Sequence, residues 1–258
     1  MSDDASRKLP ASAGWRWFLE AVAATRRSPV TMTGIVLFYL IVMGGLSALP
    51  FAGFVLAAFF MPFGTVFIAR STREVLAGRM PSYAVFGELW RNAVTRRTLI
   101  NVGLVYSFLI LAVETVYALL AADDVSRWVI SEQGQIDWKS VSENFPWDGT
   151  IAALIVYLPG VMAVWFAPML AAERGMTTGK AVFYSFFGCL RNIIPVIVLA
   201  ASVALLFALV TVALVSIALM VSSQTLASVL AIPFVFLSAT VMYASYWPMY
   251  RDLFEDLG

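Results

Sequence analysis

The chain has 258 residues, 61% of them hydrophobic and only 13% charged, with a formal net charge of +1. Soluble domains are about 45–50% apolar and about 25% charged, so the composition excludes an ordinary water-soluble domain and leaves little length for a separate catalytic one. Histidine is absent and Cys189 is the sole cysteine, which removes the commonest metal ligand and general base and any internal disulfide.

In chain order, residues 1–29 form a polar to amphipathic segment. It carries Gly14-Trp15-Arg16-Trp17-Phe18 and closes on Arg26-Arg27-Ser28-Pro29. It is too long a lead, before too long an apolar run, for a cleavable signal, so the first span is expected to stay as a helix. Six apolar stretches follow, at residues 30–49, 51–69, 99–121, 151–172, 193–221 and 226–246. Each is near the roughly 20 residues a helix needs to cross the hydrocarbon core. The fold class read from this is all-α: a polytopic membrane protein with six transmembrane helices in a single integral domain.

The first two spans are linked by the short, uncharged turn Leu49-Pro50-Phe51, and the last two by Ser222-Ser223-Gln224-Thr225. Such short links predict antiparallel helical hairpins. The second helix of each pair carries an aromatic residue two positions before a proline: Phe60 and Pro62, Phe166 and Pro168, Tyr246 and Pro248. These prolines are expected to bend their helices, since each frees a carbonyl one turn back. Pro50, Pro159 and Pro233 read as first-turn prolines at the opposite helix ends. Three hairpins with one pattern suggest like-oriented repeats about an axis along the membrane normal.

Each hairpin is preceded by an amphipathic stretch. The second is Tyr83 to Arg97, with Phe86, Leu89, Trp90 and Ala93 at helical spacing. The third is Ala181 to Asn192, with Tyr184, Phe187, Cys189 and Leu190. Apolar residues at three- and four-residue steps beside Trp and Arg describe helices lying in the interface. Cys189 reads as a small apolar filler, and Asn192 reads as a helix cap before Ile193.

Fifteen of the seventeen Lys and Arg residues fall on one set of alternating loops, leaving Arg127 and Lys139 on the other. The positive-inside rule then places both termini in the cytoplasm. The basic side suits anionic lipid headgroups, with Arg26, Arg27, Arg96, Arg97 and Arg191 as the candidate contacts. Dispersed arginines beside helix ends do not suggest a nucleic-acid partner. The outer loop, residues 122–150, is acidic. Asp123-Asp124 reads as a helix cap before Trp128, and Trp138, Phe145 and Trp147 as an interfacial lid.

One acid lies within a span. Glu114 is seven residues from the end of its apolar run, so about 10 Å deep by helix rise. A carboxylate in the bilayer is costly and marks a candidate functional residue. Thr115, Tyr117 and Tyr157 are its expected partners. Glu173-Arg174-Gly175 reads as an interfacial anchor with a glycine stop rather than an ion pair between neighbours. Small residues from Gly34 to Gly45 and over Ala200-Ala201-Ser202-Ala204 suggest close helix packing, within the bundle or between copies. No nucleotide loop, metal motif or nucleophile elbow is present in the sequence. No catalytic residue, cofactor or metal is therefore expected.

Several stretches together resemble a family of uncharacterised proteobacterial inner-membrane proteins: Gly14-Trp15 with Trp17, Arg26 to Pro29, Phe166-Ala167-Pro168 with Arg174-Gly175-Met176, Ala181 to Ser185, Cys189 to Pro195, and Tyr250 to Phe254. More distantly, the chain is similar to the membrane region fused to some glycerophosphodiester phosphodiesterases. The resemblance implies six spans in a bacterial inner membrane and no established activity, and the phosphodiesterase domain itself is lacking. The expected function is non-enzymatic: a lipid-contacting, accessory or scaffold protein of the envelope, with a membrane-protein partner or a second copy as its companion. The alternative is a small transporter or channel using Glu114.

Overall fold

The computed structural model describes residues 7–81, 84–131, 134–221 and 224–255. Among these the fold is helical apart from one isolated antiparallel bridge, Ile130 to Ile136. Tyr83, Glu132 and the turn residues Ser222 and Ser223 lie outside the described residues, as does the side chain of Phe86.

Twelve helices are described. The first is α1 (Ser12–Arg27), an amphipathic helix, followed by α2 (Pro29–Ser47) and α3 (Gly53–Leu76). Then come the short α4 (Ala84–Arg91), the long α5 (Ala93–Val125) and the loop helix α6 (Trp138–Glu143). Next are α7 (Trp147–Trp165), α8 (Ala167–Arg174) and α9 (Thr178–Arg191). The chain closes with α10 (Ile193–Val221), α11 (Gln224–Ala244) and α12 (Tyr246–Phe254). Five segments are long and apolar enough to cross a membrane: Pro29–Ser47, Gly53–Leu76, Ala93–Val125, Trp147–Arg174 and Ile193–Met220. The sixth apolar stretch forms α11. Half of the α3 span is buried, against 22% of each of the others, so α3 is the central helix and the rest keep most of their apolar surface for lipid.

Local sequence explains the helix ends. Pro29 opens α2, where its missing N–H costs nothing. Asn92 caps α5, its Oδ1 accepting from the amides of Val94 and Thr95 at 3.1 Å each. Gly175 ends α8 in the left-handed region at φ +59°, a conformation open to glycine without a Cβ clash. Asp123 and Asp124 lie in the last turn of α5 and cap nothing downstream; the chain after them makes the Ile130–Ile136 bridge.

The prolines divide differently from the sequence expectation. Pro159 and Pro233 sit inside α7 and α11 rather than at first turns. Pro62 sits inside a continuous α3, whereas Pro168 and Pro248 follow one-residue interruptions at Phe166 and Ser245, both with helical dihedral angles. The backbone groups freed around Phe166 need partners in lipid, and α9 and α12 supply them. Ser185 Oγ accepts the Phe166 N–H at 2.8 Å and donates to the Met162 carbonyl at 2.8 Å. The Tyr246 hydroxyl donates to the Trp165 carbonyl.

The main core sits at the basic end, with Trp17, Phe63, Leu99, Phe166, Leu170, Trp247, Tyr250 and Phe254 among its buried side chains. Phe166 stacks on Tyr246 with centroids 5.6 Å apart and meets Phe254 edge-on at 5.3 Å. The three amphipathic helices join this packing. α1 packs on α10 and α11, α4 on α3 and α5, and α9 on α7 and α8. Trp17, Ala21 and Ala24 of α1 are fully buried. Each of these amphipathic helices thus packs part of its apolar face on protein, with Trp17, Leu89 and Ala181 buried.

Helix seams follow close approaches at particular glycines. A Cβ at Gly103 would meet the Phe59 carbonyl oxygen at 2.3 Å, so α5 and α3 touch backbone to backbone there. Gly34, Gly44 and Gly45 of α2 have nothing near their missing side chains, and Ala200, Ala201 and Ala204 are exposed. Those small residues do not pack within the described bundle. Gly103→Leu should lower stability by about 3 kcal/mol through overpacking, whereas Gly44→Leu should be near neutral. Thermal unfolding of both variants in detergent checks this.

Candidate site at the basic end

Ionic and hydrogen-bonding side chains gather where α1, α3, α8 and α12 meet. Arg70 Nε lies 2.6 Å and Arg73 Nη1 2.9 Å from the two carboxylate oxygens of Glu173. This ties α3 to α8, and adds partners on another helix to a residue that the sequence marked as an interfacial anchor not paired with its neighbour. Arg174 donates to the Phe254 carbonyl and to Tyr250, tying α8 to α12. Arg251 of α12 bonds both oxygens of Glu20 on α1, at 2.8 and 2.9 Å. Arg27 of α1 donates to the Leu76 carbonyl of α3 at 2.5 Å. The result is a closed ring, α3 to α8 to α12 to α1 and back to α3.

The ring is reinforced from within. The Trp17 indole donates to Asp252 at 2.9 Å, and Arg73 stacks over Trp247 at 5.3 Å. The hydrogen bonds that Arg251 donates to Glu20, aided by Asp252, raise the pKa of its guanidinium above the usual value. Asn192 does not cap α10. Its Oδ1 accepts the Leu9 N–H at 2.8 Å and its amide donates to the Arg7 carbonyl at 2.9 Å. Fully buried, it pins the segment before α1. The Arg7 N–H reaches the Leu253 carbonyl at 3.2 Å, so the two ends of the described chain meet.

The arginines singled out as lipid contacts fall into groups. Arg26 and Arg97 are exposed with no hydrogen bond or ion pair among the described residues; Arg191 is exposed. Arg27 is engaged with Leu76. Arg96 donates to the Trp90 carbonyl at 2.7 Å and stacks on its ring at 5.9 Å. Beside them the amphipathic helices expose Trp15, Leu19, Trp90, Phe183 and Leu190.

Glu114 lies apart from this end. It is exposed on α5, two turns beyond the point where Ser107 donates to the Val55 carbonyl at 3.0 Å. α3 begins at Gly53, so it does not reach Glu114. Thr115 donates to its own helix at Leu111, and Tyr157 hydrogen-bonds Tyr106. Glu114 has no hydrogen bond or ion pair among the described residues. In the loop beyond it, the Trp128 indole donates to the Asn144 carbonyl and Ser140 accepts the Val129 N–H, while Trp138 and Trp147 are exposed. No cluster of three or more metal-ligating side chains occurs among the described residues.

Two measurements follow. Glu173→Gln strips Arg70 and Arg73 of their shared acceptor at a partly buried site, so it should cost roughly 1–3 kcal/mol. Glu255→Gln, at the rim, should cost well under that, and detergent melts compare the two. Burial pushes the Cys189 thiol up to about 12, while an exposed thiol ionises near about 8.5. The folded state thus holds a proton that the unfolded state loses, so stability is full below about pH 8 and falls as pH rises above it. Cys189→Ala should flatten that alkaline loss, and maleimide at pH 8 should label Cys189 only after unfolding.

No protein family matches the chain, and no solved structure does. It is similar to a protein of Burkholderia thailandensis described as a probable inner membrane protein, with 28% identity over 196 residues that cover 72% of this chain and 70% of the relative.

Proposed function

We propose that the chain is a non-enzymatic multi-pass protein of a bacterial inner membrane that contacts anionic lipid at its basic, cytoplasmic end and serves as an accessory or scaffold. The observation that carries this is the placement of the amphipathic helices. Each docks on a hairpin and keeps aromatic residues and arginines outward at one end, where headgroups would meet them. The B. thailandensis relative supports the choice of membrane.

Six crossings in three hairpins go with this reading. α2 packs on α3, α5 on α7 and α10 on α11, and the meeting of Arg7 with Leu253 favours an even number of crossings. α1 docks on α10 and α11, and α9 on α7 and α8, each against the hairpin before its own if the three form a ring, while α4 bridges α3 and α5; this supports a threefold relation among them. The exposed, unpartnered position of Glu114 gives the transporter alternative no support.

The test is lipid binding by purified protein titrated with phosphatidylglycerol and phosphatidylcholine. The wild type should prefer phosphatidylglycerol, and Arg26→Gln/Arg97→Gln/Arg191→Gln should lower that affinity at least fivefold. Equal affinities, or a cation-driven flux abolished by Glu114→Gln, would overturn the reading. Orientation is checked in the same preparation: a cysteine at Ser140 should label only from outside the cell.

A further inference from the structure

A cavity of about 510 Å³ opens between the segment before α1, the outer face of α1 and helix α12. Its size is within the ~300–1,000 Å³ of small-molecule sites. Its lining carries both charges: Arg7, Lys8 and Arg16, together with Glu20, Asp252 and Glu255 around Arg251.

The acids are already committed. Arg251 lies 2.8 Å from Glu20, 2.7 Å from Asp252 and 4.0 Å from Glu255. Asp252 also takes the Trp17 indole proton. Lys8 and Arg16 have no hydrogen bond or ion pair among the described residues. Cationic side chains in a concavity concentrate positive potential. A lysine point charge beside an arginine fork suits the several oxygens of a phosphate.

The segment carrying Lys8 is also held in place. Asn192 grips the backbone at Arg7 and Leu9, and the Arg7 N–H is bonded to Leu253. Lys8 therefore projects from an anchored strap, so less ordering is needed on binding. In the same cavity, carboxylate lone pairs of Glu20 and Glu255 beyond those facing Arg251 can accept from an ammonium or hydroxyl.

We propose that this cavity binds a phosphate ester bearing an ammonium or hydroxyl group, with Lys8 and Arg16 on the phosphate and Glu20 and Glu255 on the donor. The same chemistry is offered by a phospholipid headgroup and by a soluble phosphate ester. The residues are distinct from Arg26, Arg97 and Arg191, so this site stands or falls separately from the lipid contacts above.

The experiment is calorimetric titration of the full-length protein in detergent with two probes, phosphoethanolamine and dioctanoyl phosphatidylethanolamine. Saturable binding of phosphoethanolamine assigns the site to soluble esters; binding of the lipid alone assigns it to headgroups. Either supports the site if Lys8→Gln/Arg16→Gln weakens it tenfold or more while Lys8→Arg/Arg16→Lys retains it. Both pairs are exposed substitutions outside the core, so folding should survive, and an unchanged melting profile checks that. The Arg26→Gln/Arg97→Gln/Arg191→Gln variant should bind both probes as the wild type does. Absence of saturable binding to either probe, or undiminished binding by Lys8→Gln/Arg16→Gln, overturns the proposal.

Discussion

The closed ring of polar contacts at the basic end is the constraint on which the rest of the molecule depends. Apolar helices in lipid gain little from burying one another, because the tails around them are equally apolar. Association must come from close packing and from polar contacts that find no equal in hydrocarbon. The bundle concentrates both at one end. Arg70, Arg73 and Glu173 join α3 to α8, and Arg251 and Glu20 join α12 to α1. The fully buried Trp17, Phe166 and Phe254 fill the space the ring encloses.

The ring is built on α8 and α12, which follow one-residue interruptions at Phe166 and Ser245. A break in lipid exposes backbone groups, and the fold satisfies them locally. Ser185 takes both the freed Phe166 N–H and the freed Met162 carbonyl. A single hydroxyl on α9 thereby couples an amphipathic helix to the geometry of the helix pair it follows. α3 carries the same aromatic-x-Pro sequence and stays continuous. Its extension to Leu76 puts Arg70 and Arg73 in reach of Glu173 and carries Leu76 to Arg27.

The seams between helix pairs are unequal. α3 lies along α5, with Gly103 against the Phe59 backbone, and α11 lies along α2, where Thr240 reaches Thr33 at 3.4 Å. Between α7 and α10 there is no comparable seam, and α9 stands between them at the basic end. The far halves of α7 and α10 accordingly keep residues such as Ile155, Leu158, Leu209 and Val212 exposed. Lipid tails are the natural cover for such surface.

The sequence by itself determined the helical class, the long apolar segments and the gathering of arginine at one end, because those depend only on composition and on periods of a few residues. It also marked the stop at Gly175, a local backbone effect, but the same aromatic-x-Pro pattern interrupts the helix before Pro168 and Pro248 and not at Pro62. Tertiary structure decided what the marked residues do. Asn192 looked like a cap and instead grips a strap 185 residues away in sequence; Asn92, passed over, is the cap. Gly34, Gly44 and Gly45 looked like a packing face, yet a Cβ on any of them would meet nothing within 4 Å among the described residues. Lys8 and Arg16 counted only toward the basic side, and Glu20 and Asp252 marked no site, since each is an ordinary surface charge until α12 meets α1. Partnerships across such separations follow from which helix faces converge, and no local pattern of residues encodes that.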